Sequence, residues 1–125
     1  MTMVEFTNYN LLNIYRASST VNAATFFLDD FLKIFDPGRK TLLVGDLNVC
    51  SVTHVNHPIL KLLSKLMFKH NIKQTSHKDG NVIDYASHYC PQSSLQNLKV
   101  QQFAQYFTDH DMLLVDITDL LKVDS

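Results

Sequence analysis

Three polar segments of this 125-residue chain stand beside apolar, strand-like runs: Gly45-Asp46-Leu47-Asn48, Ile83-Asp84-Tyr85 and Thr108-Asp109-His110. Their residue types suit chemistry on a charged oxygen. A carboxylate such as Asp46 can bind a divalent cation or orient a water, and the amide of Asn48 can hold a neighbouring carboxylate or a phosphate oxygen. Gly45 permits close backbone approach at the same spot. Asp84 lies in a run of β-forming residues, where a carboxylate needs a partner or a solvent-facing role. His110, at the entry to the apolar run Met112 to Val115, offers that partner: an imidazole hydrogen bond to Asp84 would fix its tautomer and favour its charged form. Gly, Asp and Asn also compose ordinary turns, so the first segment counts only in combination with the other two.

An alternation of strands and helices must position these residues. Leu11 to Arg16 reads as a buried strand, and a helix follows with Ser18, Ser19 or Thr20 as its cap and an apolar face from Ala23 to Phe35. Asp36-Pro37-Gly38 stops it, because proline cannot continue the ladder and glycine permits the reversal. Thr41 to Val44 is then a buried strand that delivers Asp46 and Asn48 at its carboxyl end, where open α/β sheets collect their ligands. A second helix begins near Pro58 and is expected to run to about Asn71. Strands are expected over Ile72 to Thr75, Asn81 to Tyr89, Leu98 to Phe103 and Met112 to Ile117. The order predicts an α/β fold with a mixed sheet, as one domain over residues 1–125.

Composition sets wider bounds. The chain has 46% hydrophobic residues, three Gly and three Pro, which fits a globular domain that folds without a disulfide or structural metal. Cys50 and Cys90 form no C-x-x-C pair and no secretory leader is visible, so an intracellular, nuclear or cytoplasmic location is expected. No apolar run approaches the length of a membrane span. Net charge is −1 and only Arg16 and Arg39 supply guanidinium groups, so bulk electrostatics do not advertise a polyanion binder. Lys61, Lys65 and Lys69 form an i, i+4, i+8 row on the second expected helix, read first as a solvated face. Cys50, His54 and His57, with His77, His88 and Cys90, are potential zinc ligands, but their spacing matches no established zinc pattern. No G-x-S-x-G elbow supports a serine hydrolase.

Taken in order, Asn13-Ile14-Tyr15-Arg16, Gly45-Asp46-Leu47-Asn48, Ile83-Asp84-Tyr85 and Thr108-Asp109-His110 resemble the endonuclease/exonuclease/phosphatase superfamily, which includes exonuclease III, apurinic endonucleases, deoxyribonuclease I and retrotransposon endonucleases. The resemblance covers residues 10 to 117. Gln74-Thr75-Ser76-His77, ahead of Gly80 and Ile83-Asp84, looks most like the retrotransposon and helicase-associated branch. The resemblance implies a Mg²⁺- or Mn²⁺-dependent phosphodiester hydrolase, with DNA the favoured substrate. It gives Asp46 the attacking water, Asn48 the positioning of water and phosphate, and His110, held by Asp84, the developing phosphoryl charge. It gives Asp109 the metal and Tyr15 a contact to the phosphate.

Members of that superfamily carry a further N-terminal half with an asparagine and a metal-binding glutamate. Glu5, Asn8 and Asn10 stand too close to the Tyr15 strand to match them. The chain therefore resembles the C-terminal half of a four-layer α/β/β/α sandwich, with helices on one face of its sheet. The other sheet face is expected to find a partner, either a second copy or a complementing N-terminal chain. The alternative function is a non-catalytic interaction module derived from a truncated nuclease.

Overall fold

The computed structural model describes residues 1–15, 23–49, 56–72, 84–91, 97–103, 110 and 112–121. Its centre is a β-α-β unit: β2 (Asn10–Tyr15), α1 (Ala23–Ile34) and β3 (Thr41–Asp46), with β2 and β3 parallel. β1 (Thr2–Glu5) pairs antiparallel with β2, and β5 (Asp84–Tyr89) pairs antiparallel with β3. β4 (Lys69–His70) adds an antiparallel edge to β5, giving a five-stranded mixed sheet in the order β1-β2-β3-β5-β4. A separate pair, β6 (Lys99–Phe103) and β7 (Met112–Asp116), is antiparallel. α2 (Pro58–Lys65) lies between β3 and β4, and a short α3 (Thr118–Leu121) follows β7. The expected α/β class with a mixed sheet is what forms.

Strand alternation divides the sheet into two faces. Leu12, Ile14, Leu43 and Tyr85 turn to the helical side, where they pack with Phe31 of α1 and Ile59, Leu60 and Leu63 of α2. Burying each such aliphatic side chain contributes about 1.5 to 3 kcal/mol. Phe31, Phe35, Phe68 and Tyr89 close this layer, with ring centroids 5.1 to 5.9 Å apart. On the opposite face Leu42, Val44 and Ala86 meet the inner side of the β6-β7 pair through Val100, Leu113 and Val115.

The turn expected at Asp36-Pro37-Gly38 ends α1: Asp36 Oδ1 accepts from Gly38 N at 2.8 Å, and the Asp36 carbonyl accepts from Arg39 N at 3.2 Å. The expected extension of α2 to Asn71 does not occur. Met67 takes φ +72°, Phe68 N donates to Leu63 O at 2.9 Å and Met67 N donates to Ser64 O at 3.0 Å. That pair of bonds is a Schellman cap, with Phe68 and Leu63 as its buried apolar contact. Lys69 and His70 form a strand instead, so Lys69 leaves the helix and the three-lysine row is not one helical face; of the strand expected over Ile72 to Thr75, all but Ile72 lies outside the described residues. β1 and α3 had no counterpart in the sequence reading. No helix among the described residues is long and apolar enough to cross a membrane.

Candidate active site

Register places three of the expected residues side by side. Tyr15 pairs with Asp46 across the parallel β2-β3 ladder, and Asp46 pairs with Asp84 across the antiparallel β3-β5 ladder. Residues in register share a face, so all three lie on the side away from the helices, two positions along from Asn13, Val44 and Ala86. Gly45 makes this end of the sheet possible. It has φ +135°, and a Cβ there would stand 1.8 Å from the Ile14 carbonyl oxygen. The close backbone approach read from the sequence is therefore obligatory.

His110 reaches this row from just before β7. Its Nδ1 lies 2.8 Å from Asp84 Oδ2 and 3.0 Å from Oδ1, a bifurcated contact to one carboxylate. An ionised carboxylate only accepts, so Nδ1 carries the proton and Nε2 is left facing the second carboxylate, 3.6 Å from Asp46 Oδ2. The two carboxylate side chains are 13% and 14% exposed and the imidazole 35%. Like charges opposite each other on neighbouring strands repel, and an imidazole between them offsets that repulsion. Asp46, Asp84 and His110 each offer a ligand atom, all within 4.8 Å of one another. Asp46 and Asp84 line a cleft of about 370 Å³ floored by Val44 and Ala86 and walled by Leu113 and Val115.

Asp46 divides its oxygens. Oδ1 accepts from Asn48 N at 2.8 Å, while Oδ2 faces His110. Asn48 itself takes φ +52°, a conformation that asparagine tolerates better than most residues. Tyr15 is 74% exposed at the end of β2, with its ring free of the core. Asp109, like Thr108 and Ile83, lies outside the described residues, as do Arg16, Cys50, His54 and His77. Of the remaining members of the zinc reading, His57 and His88 are engaged elsewhere. His57 caps α2, its Nδ1 accepting from Ile59 N at 3.2 Å, and His88 is 1% exposed with Nδ1 2.9 Å from the Asn71 amide. Arg39 serves the far end of the sheet, donating to Asn10 Oδ1 at 2.9 Å and to the Phe6 carbonyl. The sequence reading missed the apolar cleft walls; Met112, Leu113, Leu114 and Val115 are all apolar, so no alternation in the sequence marks Leu113 and Val115 as the inward pair.

No family model and no curated protein matches the chain. Solved structures do. The chain is similar to cytolethal distending toxin from Actinobacillus actinomycetemcomitans, at TM-score 0.62 and 15% identity, over 87% of this chain and 49% of that one. It is likewise similar to the Haemophilus ducreyi cytolethal distending toxin, at TM-score 0.59 and 12% identity, over 87% and 48%. The chain thus spans about half the length of these structures. At such identities the likeness is one of fold.

Proposed function

We propose that this chain is the C-terminal half of an endonuclease/exonuclease/phosphatase-type domain and serves a metal-dependent phosphodiester hydrolase, endonuclease-like and with DNA as the favoured substrate. The observation that carries this reading is the Asp46, Asp84 and His110 cluster at the end of the sheet, whose two carboxylates line an open cleft. Likeness in fold to a toxin structure supports the superfamily; the ordered polar segments support the chemistry.

The donor set fits the expected cation. Two carboxylates from adjacent strands present oxygens, and Mg²⁺ takes one or two carboxylates while keeping several waters. Asp46 and Asp84 would hold Mg²⁺ or Mn²⁺ there, with Asp109 as a further ligand; the ion supplies positive charge for phosphoryl oxygens and acidifies bound water. Asp46 orients the attacking water and takes its proton, and Asn48 aligns water and phosphate. Asp84 holds the His110 ring through Nδ1 and favours its charged form, in which Nε2 also carries a proton and donates to a phosphoryl oxygen as charge develops. Tyr15, exposed beside Asp46, contacts the phosphate.

The sheet face expected to need a partner is met in part by the chain's own β6-β7 pair, so the surface left for one in this reading is the outer face of that pair. Phe103, Met112 and Leu114 stand exposed on the outer face of the β6-β7 pair, beside Lys99, Gln101 and Asp116. That face also supports the second reading, a non-catalytic interaction module. The two separate on hydrolysis of bis(4-nitrophenyl) phosphate in Mn²⁺, a substrate that needs no extended DNA-binding surface. Turnover that disappears in Asp46→Ala and His110→Ala supports the hydrolase; turnover equal to the variants favours the module.

A further inference from the structure

Tyr85 follows Asp84 in β5, yet alternation turns its side chain to the opposite face of the sheet. It is 2% exposed within the helical-side core. Its hydroxyl donates to the Val49 carbonyl at 2.5 Å, across 36 residues of sequence. Val49 lies beyond the end of β3, so this carbonyl takes no part in the β3 ladder. The segment it belongs to is the one that carries Asp46 and Asn48 out of the strand. Leu47 at 0% and Val49 at 3% exposure anchor that segment in the core, and half-buried Asn48 stands between them with positive φ. The Tyr85 ring is itself held edge-on to His70, with centroids 5.2 Å apart, and His70 Nδ1 is 2.5 Å from the fully buried Ser87 hydroxyl.

We propose that Tyr85 is a positioning residue for the cleft: through the Val49 carbonyl it fixes the Asp46-to-Val49 segment, so that Asp46 keeps one oxygen on the Asn48 amide and the other toward His110. Two consecutive residues of one strand then set the site from both sides of the sheet. Asp84 holds His110 on the cleft face, and Tyr85 holds the Asp46 loop from the helical face. The bland alternative is that Tyr85 only fills the core. A phenyl ring would then serve equally well, apart from a buried carbonyl left without its donor.

Tyr85→Phe separates the two, with the Asn48 backbone amide as the reporter because its N–H is bonded to Asp46 Oδ1. In NMR of the full chain, the Asn48 amide of Tyr85→Phe is expected to lose its carboxylate-bonded downfield shift and to exchange with solvent about tenfold faster or more. The Leu12 and Leu63 amides should keep their wild-type protection. Ile59→Val, which trims the same core, should leave the Asn48 amide unchanged. Should Tyr85→Phe fail to fold, 3-fluorotyrosine at position 85, a stronger donor, is expected to slow Asn48 exchange. An Asn48 amide that keeps its shift and protection in Tyr85→Phe, that moves equally in Ile59→Val, or that ignores fluorination overturns the proposal. The consequence for catalysis rests on the hydrolase reading. There kcat on bis(4-nitrophenyl) phosphate should fall about tenfold with KM within about twofold, whereas the amide measurement stands whether or not the chain hydrolyses anything.

Discussion

Removing the imidazole from between two carboxylates should cost more than removing the imidazole and one carboxylate together. His110→Ala deletes the contact of Nδ1 with Asp84 at 2.8 Å and leaves Asp46 and Asp84 opposed on neighbouring strands. A hydrogen bond to a charged group contributes about 1.5 to 3 kcal/mol. With His110 35% exposed, solvent screening brings the expected loss toward the lower end, about 1.5 kcal/mol. The opposed carboxylate pair adds repulsion on the order of 1 kcal/mol once water fills the space the imidazole leaves. His110→Ala should therefore lose roughly 2.5 kcal/mol in urea denaturation at neutral pH, and the added change Asp84→Asn should restore about 1 kcal/mol of it. Asp84→Asn alone loses the ion pair but relieves the repulsion, so its cost should be smaller than that of His110→Ala. Equal stability of His110→Ala and wild type, or a double variant no more stable than His110→Ala, would refute the reasoning.

The other predictions concern the frame of the site. Gly45→Ala should destabilise the chain by roughly 2 kcal/mol or more, since its methyl would overlap the Ile14 carbonyl; a thermal melt within about 1 °C of wild type would contradict the clash. Burial holds His70 below the usual imidazole range, so the folded state disfavours its charged form. Below the unfolded value of 6.5 the unfolded chain takes up the proton first, and stability falls as pH drops from there through the folded value. His70→Gln should make the decline in denaturation midpoint shallower over that window, and an unchanged slope would remove His70 as its source. Sedimentation equilibrium should show self-association that Leu114→Lys and Met112→Lys abolish, since both apolar side chains are exposed on one face of the β6-β7 pair; a wild-type monomer at all concentrations would exclude a second copy as the partner.

The site was more legible than the frame. Asp84 in a β-rich run demanded a partner, and His110 is that partner at hydrogen-bond distance. Gly45 was readable because only glycine has no Cβ to clash. The register that puts Tyr15, Asp46 and Asp84 on one row was not readable, because the sequence alone does not say which strands are neighbours. The early end of α2 was hidden for a different reason. Leu66, Met67 and Phe68 continue the apolar periodicity of the helix, and a Schellman cap built on Met67 lacks the usual glycine signal. β1 has only Thr2 to Glu5 and one neighbour, so its four residues carry too little pattern to separate from a terminus. α3 is a single turn started by Asp116, whose Oδ1 accepts from Thr118 N at 2.9 Å and from the Thr118 hydroxyl at 2.6 Å. Those bonds also hold its carboxyl below the usual range. A capping Asp before one turn is indistinguishable in sequence from a loop.

The most direct measurement is nicking of supercoiled plasmid by the purified chain in Mg²⁺ or Mn²⁺, beside Asp46→Ala and His110→Ala. Conversion to the relaxed form that requires the metal and falls at least about a hundredfold in both variants is the predicted result. Nicking that persists without metal or survives either substitution would contradict a metal-dependent site built on Asp46, Asp84 and His110.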